Sequence, residues 1–422
     1  MSNSGPAARA LHDALKALQT GDMATAQPAA LAALEAFSTE GDRTGSAAAH
    51  QVLAITALSR GRPDEALTHV DAAIPLREST GDIEGLASLW QERLELCLRM
   101  GDLEGARHSA EQQVETWRKS GEREGLAHAI HQLGQLVLQL GDDGRAEALV
   151  QEALFLLDPT TQARARCALL LLYSSIALQR QDLPRAFGLA REGLEMGRAA
   201  KNRQAEVDAL QQCGVVHSAM GEHAAARRAL EEALVGRELL KDGEGKANVL
   251  QELATVEVAM GEFDSALDRL GYAARTLRDA GNVIGEVTVL QLICEVAENN
   301  GRPEGALVAA RELVEAAART GDREAEAGAH FMLASRFAGV GDLPNAAKEF
   351  RIANEIQEIL ALPHEAAVSQ GMLGQVLVAM GDTVGGRAAL SASLIRLEAL
   401  NSEAAETVRD VLAELTATEA EG

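Results

Sequence analysis

A chain of 422 residues is too long for one ordinary hydrophobic core, so it folds either as several domains or as a stack of units that bury surface against each other. Apolar residues make up 47% of it but aromatics only 3%, a balance that suits close helix packing and argues against any sheet. A formal charge of -24, spread along the whole chain with no Lys/Arg stripe, argues against nucleic acid and favours neutral to basic partner segments.

Residues 1–6 read as a flexible N-terminus. They hold no basic region followed by an apolar run, and no stretch reaches the roughly 18 apolar residues of a membrane span, so no membrane insertion and a cytoplasmic location are expected. The cysteines Cys97, Cys167, Cys213 and Cys294 lie far apart without a CxxC pair or a His at ligand spacing, and read as reduced core residues.

From residue 7 to residue 400 one pattern repeats every 40 residues. Gly21, Gly61, Gly101, Gly141, Gly221, Gly261, Gly301, Gly341 and Gly381 mark it, with Gln181 in the single gap. Five positions after each marker stands Ala26, Ala66, Ala106, Ala146, Ala186, Ala226, Ala266, Ala306, Ala346 or Gly386. Seven positions before it the residue is small in nine cases, among them Ala14, Ala54, Gly134, Ser174, Gly214, Ala254 and Gly374, with Leu94 the exception. A Gly between two amphipathic runs supplies the left-handed residue that ends one helix, and the Asp or Glu after it favours the start of the next. The small residues on either side let the two backbones approach, which makes each unit an antiparallel helical hairpin. A second marker about twenty residues on, as in Gly41-Asp42, Gly81-Asp82 and Gly321-Asp322, separates one hairpin from the next.

Helices of roughly 16 to 18 residues are expected between the markers. Pro63 and Pro303 fall in a first turn, where a missing N–H costs nothing, but Pro28 and Pro75 fall inside second helices and predict kinks. Repeat five departs most from the pattern, with Gln181 for Gly, Leu171 for a polar residue, and Leu157-Asp158-Pro159-Thr160 at its junction. The stretch 157–182 is therefore expected to divide two sub-grooves, as a hinge or as the bottom of a ligand pocket. Residues 401–418 predict a capping helix with a thin apolar stripe of Val408, Val411, Leu412 and Leu415.

These residues resemble the tetratricopeptide repeat family. The signature is the small residue on the first helix, the Gly-Asp turn, the Ala five positions on and often a second Ala seven later, as in Ala33, Ala73 and Ala153. The unit looks like the long-repeat subclass found in bacterial signalling regulators and peptide-binding adaptors. Packing is expected to be aliphatic, because Leu210, Leu250 and Leu290 stand where that family usually carries large aromatics. The resemblance implies an all-α, right-handed superhelical α-solenoid of about ten antiparallel helix-turn-helix repeats, with a concave surface lined by first helices that binds protein segments.

Two rows on the first helices resemble that family's groove-facing positions: three residues before the small residue come Gln51, Gln91, His131, Gln211, Gln251, Gln291 and Phe331, and one after it come Ile55, Glu95, Gln135, Thr255, Glu295 and Gln375. Four after it come Leu58, Leu98 and Leu138, which either face the groove and make that half of it apolar or pack against the next repeat. An amide donates and accepts, so a row of glutamines suits a ligand's main chain; the plainer alternative is that they are soluble helix formers. No GxxxxGK[ST], GxSxG or HExxH occurs, and no nucleophile has a base beside it, so neither an enzyme nor a cofactor site is expected. His128 and His131 lie one turn apart without a third ligand, and read as groove or solvated histidines and not as a metal site. The expected function is a non-catalytic adaptor or scaffold that binds a peptide or helical segment of a partner; the alternative is a ligand-responsive sensor controlling a separate signalling protein. A homo-oligomer remains compatible with unmatched repeat faces.

Overall fold

A computed structural model describes residues 5–158 and 162–421, with side chains up to residue 416. Residues 1–4 of the expected flexible N-terminus, and Pro159 and Thr160 of the irregular junction, lie outside the described residues. The described residues form helices throughout, without a strand.

In the first five repeats the helix pairs are α1 (Pro6–Gln19) and α2 (Met23–Glu40), α3 (Arg43–Ser59) and α4 (Pro63–Thr80), α5 (Ile83–Arg99) and α6 (Leu103–Ser120), α7 (Arg123–Gln139) and α8 (Asp143–Leu156), α9 (Ala163–Gln179) and α10 (Leu183–Ala199). Then follow α11 (Arg203–Ala219) and α12 (His223–Leu240), α13 (Gly243–Ala259) and α14 (Phe263–Asp279), α15 (Val283–Asn299) and α16 (Pro303–Thr320), α17 (Arg323–Gly339) and α18 (Leu343–Ile359), α19 (Pro363–Ala379) and α20 (Thr383–Ala399). A last helix, α21 (Ala404–Glu421), packs on α20 and α19. The helix boundaries thus follow the 40-residue period read from the sequence, and the fold is an all-α helical-repeat solenoid.

The turn chemistry explains the register. Every marker glycine is left-handed, and Gln181 adopts the same conformation at φ 60°. The next residue caps the following helix: the Asp42, Asp102, Asp182 and Asp382 carboxylates each accept from the backbone N–H three residues on. Glu222 and Glu262 make no such bond, so there an acidic residue acts only through the helix dipole.

Close packing inside each hairpin follows from the paired small residues. Ala26, Ala106, Ala186, Ala266 and Ala346 have no exposed surface. In repeat five the Ser174 hydroxyl donates to the Ala186 carbonyl at 2.8 Å, joining the two marked positions directly. In repeat ten the approach is backbone to backbone: a Cβ on Gly374 would lie 3.0 Å from both the Gly386 carbonyl oxygen and the Leu390 nitrogen. The core is aliphatic, led by side chains such as Leu53, Leu89, Ile130, Leu169, Leu253 and Leu290, and the four cysteines are buried. Helices α2 and α4 run on through Pro28 and Pro75.

Contacts divide the chain into two compact units, Met1–Gln212 and Cys213–Gly422. The stretch 157–182 lies within the first of them.

Candidate functional site

The three sequence rows occupy different depths on the first helices. Ile55, Glu95, Gln135, Thr255 and Glu295 are exposed, and Gln375 is half-buried. In the row three residues before the small position, Gln51, Gln91, His131, Gln211, Gln251 and Phe331 are half-buried and Gln291 is exposed. Several of these side chains already have partners within the protein. Gln51 donates to Glu92 at 2.8 Å and accepts from Arg77, and Gln91 donates to Glu95 and accepts from Gln113, both at 3.0 Å. Phe331 meets Phe350 edge to face at 5.4 Å between ring centroids. In the third row Leu98 is exposed and Leu58 half-buried, whereas Leu138 is buried in the core of repeats three to five and offers no surface to a ligand. The reason is that the residues packed against this end of α7 cover it, which the shared spacing of the leucines does not reveal.

Two of these sets of residues converge on equivalent clefts, one in each unit. In the first, Ala54, Ile55 and Leu58 of α3 face Glu92, Glu95, Leu96 and Arg99 of α5 over Ala66 and Val70 of α4, enclosing about 210 Å³. In the second, Ala254, Thr255 and Val258 of α13 face Leu292, Glu295, Val296 and Asn299 of α15 over Phe263 and Leu270 of α14, enclosing about 190 Å³. Eight of the lining positions are related by a shift of 200 residues, as Ala54 is to Ala254 and Glu95 to Glu295. Each cleft is apolar at its base and carries a carboxylate at its rim. Burial pushes the Glu92 carboxyl up from its ordinary value, partly offset by the hydrogen bonds from Gln51 and Ser88. Glu252, at the same register on α13, is pushed up by burial as well.

A larger cavity of about 710 Å³ opens between the N-terminal halves of α7, α9 and α11, entirely within the first unit. Its floor is Ala127, Ala165, Cys167, Ala168, Leu171 and Ala205; its walls carry Glu124, His128 and His131 on one side, Gln162 and Arg164 in the middle, and Asn202, Gln204 and Asp208 on the other. Burial, followed by the charge of His128, pushes the His131 imidazole down to about 4, so it is neutral at pH 7 and presents both a donor and an acceptor. Burial likewise pushes the Cys167 thiol up to about 12, and its sulfur lies 3.4 Å from the Gly193 carbonyl oxygen. That thiol is a packing group, not a nucleophile.

Two glycines in α10 bring this floor together. A Cβ on Gly193 would sit 3.1 Å from Leu171, and one on Gly197 would sit 2.8 Å from the Glu206 nitrogen, so α10 lies close behind both α9 and α11. Gly197 stands where other repeats carry Phe37, Trp117, Leu157, Leu277 or Leu397, a substitution visible in the sequence but not used there. The reading by rows also missed the residues one turn nearer each helix N-terminus, such as Asp208, and the cleft floor of Val70 and Leu270. Helical periodicity places His128 and Asp208 three residues before His131 and Gln211, on the same face, which is the signal that finds them. Among the described residues no group of three or more His, Cys, Asp or Glu side chains could hold a metal ion, and no helix is long and apolar enough to cross a membrane.

No family model and no curated protein matches this sequence. Solved structures do match by fold. One is a signal transduction ATPase with numerous domains, carrying a tetratricopeptide repeat sensor, from Pyrococcus horikoshii: TM-score 0.56, 12% identity, 92% of this chain and 54% of that one. The chain therefore spans about half the length of that protein. A tetratricopeptide repeat protein from Parabacteroides merdae matches over 64% of this chain and 93% of its own at 16% identity and TM-score 0.48. A Rap protein complexed with competence and sporulation factor matches over 89% of this chain and 98% of its own at 13% identity and TM-score 0.47. The fold is that of tetratricopeptide-repeat proteins.

Proposed function

We propose that the chain is a non-catalytic binding module that takes a neutral to basic segment of another protein along the face of its first helices. The observation that carries this reading is the duplicated cleft. The same apolar, side-chain-sized recess with a carboxylate at its rim is built at equivalent positions in two units, and such recesses suit aliphatic or aromatic anchors of a partner flanked by basic residues. The exposed Ile55 and Leu98 extend the apolar surface around the first of them. Helix-in-groove and extended-segment recognition both use such spaced anchors.

Panning a phage-displayed random peptide library on the protein tests the reading. Selected peptides are expected to be enriched in aliphatic residues beside Lys or Arg, and to lose at least tenfold in affinity to Leu58→Glu or Val258→Glu. No enrichment, or enriched peptides that bind both variants as well as the parent, refutes it.

A second reading, a ligand-responsive sensor acting on a separate protein, is supported by the larger cavity of repeats four to six. Within the range of small-ligand sites, about 300 to 1,000 Å³, that cavity is roomier than the clefts. Small-angle scattering with and without a selected peptide separates the two, because a sensor changes its radius of gyration on binding and a passive module does not.

A further inference from the structure

We infer that the cavity between α7, α9 and α11 is a main-chain reader: it takes an uncharged, internal stretch of about six residues of extended peptide carrying small aliphatic side chains. This rests on the binding reading above and assigns one place and one ligand chemistry to it.

The argument starts from which polar atoms in the walls are already used. Gln162 accepts from the Asp158 N–H through its amide oxygen, and Asn202 accepts from the Ala205 N–H through its own; among the described hydrogen bonds neither amide NH₂ has a partner. Gln204 is the reverse: its NH₂ donates to Asp208 at 3.0 Å, and its amide oxygen has no partner among them. The Asp158 contact orients the Gln162 amide and the helix cap orients that of Asn202, leaving both NH₂ groups to donate, while the Asp208 contact leaves Gln204 its amide oxygen and one N–H. His131 adds a neutral imidazole that offers one of each. Donors and acceptors fixed in this way around an opening complement the alternating C=O and N–H groups of a peptide main chain.

Charge and shape narrow the ligand further. Glu124 and Asp208 stand on the outer walls with the single Arg164 between them, so no wall concentrates the positive charge that a free carboxylate or an acidic side chain would need. The floor is alanine, the Cys167 thiol and Leu171, which admits small aliphatic side chains and leaves no recess for an aromatic one. Successive first helices lie roughly 10 Å apart, so three of them span about 20 Å, or some six residues at 3.3 Å each. The duplicated clefts have the opposite design, with an apolar recess for a side chain and little to meet a backbone.

The experiment uses the full chain and positional-scanning pools of hexapeptides, acetylated and amidated to remove terminal charge, with binding read by surface plasmon resonance. Pools rich in Ala, Val and Leu are expected to bind best, and the same peptides with free termini to bind several-fold more weakly. Ala168→Trp, which fills the floor, is expected to lower affinity at least tenfold. Gln204→Ala, which removes a fixed acceptor without touching the core, is expected to lower it several-fold while the unfolding midpoint stays unchanged. Binding by no pool, or binding that survives both variants, overturns the inference. Peptides that depend on Leu58 and Val258 but not on Ala168 or Gln204 overturn it too, and leave the binding reading standing, so the two failures are distinguishable.

Discussion

Glutamine at position 181 holds a conformation that every other first-to-second-helix marker gives to glycine, and this sets up a reciprocal stability experiment. Gln181 has φ 60°, Gly221 one repeat later has φ 75°, and a Cβ built on Gly221 would meet nothing within 4 Å. The cost of a side chain at this register is therefore torsional and comes from its own backbone, not from a neighbour. A non-glycine residue in the left-handed region costs roughly 1 to 2 kcal/mol, and glycine's extra freedom in the unfolded chain returns about 0.5 to 1 kcal/mol of that. Gln181→Gly should accordingly stabilise the first unit by about 0.5 to 1 kcal/mol, and Gly221→Gln should destabilise the second by a similar amount. Urea unfolding followed by far-UV circular dichroism reads both as shifts of the midpoint at unchanged slope. The same logic covers Lys201, Lys241 and Ala361, which also have positive φ, while Asn401→Gly should be near neutral because asparagine tolerates the region. A Gln181→Gly variant that unfolds at lower urea, or a Gly221→Gln variant that does not, refutes the torsional account.

Three further outcomes follow from local geometry. Gly374→Ala pushes a methyl group against the α20 backbone and should cost about 1 to 3 kcal/mol, whereas Gly328→Ala, where nothing lies within 4 Å, should gain about 0.5 to 1 kcal/mol; thermal melts of the pair check the contrast. Pro75 is exposed inside α4 and cannot donate to the Asp71 carbonyl. Pro75→Ala should stabilise by up to about 2 kcal/mol, a helix-interior proline penalty of about 3 less the unfolded-state entropy regained, as read by urea midpoint. His131 has its pKa lowered from 6.5 to about 4 in the folded chain, so the unfolded chain binds the proton more tightly. Its contribution is complete above pH 6.5 and is lost as pH falls towards about 4; His131→Gln should flatten the pH dependence of the urea midpoint across that window, and an unchanged slope would show that the imidazole is solvated.

Much of the fold was legible because it is written locally and repeatedly. Gly21, Asp22 and Ala26 specify a left-handed stop, a cap and a close approach within six residues, and the chain restates that instruction at each turn. Pro28 and Pro75 lack the N–H that a helix interior uses, and α2 and α4 nonetheless continue through both, held by the packing of Ala30, Ala33, Ala73 and Ile74. The candidate site was legible only in part. Periodicity put Ile55, Leu58, Glu95, Thr255 and Glu295 on one face, and they line the two clefts. It gave Leu138 and Leu58 the same register, yet one is buried and the other half-exposed, because burial depends on the neighbouring helices and not on the residue's own.

The sequence by itself determined the unit: its length, its helices, its turns and the small residues that let two backbones meet, all set by interactions among residues close along the chain. Only the tertiary structure decided which polar groups remain available. Gln51 and Gln91 engage their amides with Glu92, Arg77, Glu95 and Gln113, while among the described hydrogen bonds Gln162, Asn202 and Gln204, which line a cavity, use only one side of theirs. The physical reason is that the contacts of Gln162, Asn202 and Gln204 are local, whereas Gln51 meets Glu92 and Arg77, and Gln91 meets Gln113, across 41, 26 and 22 residues of chain, which happens only once the helices have packed.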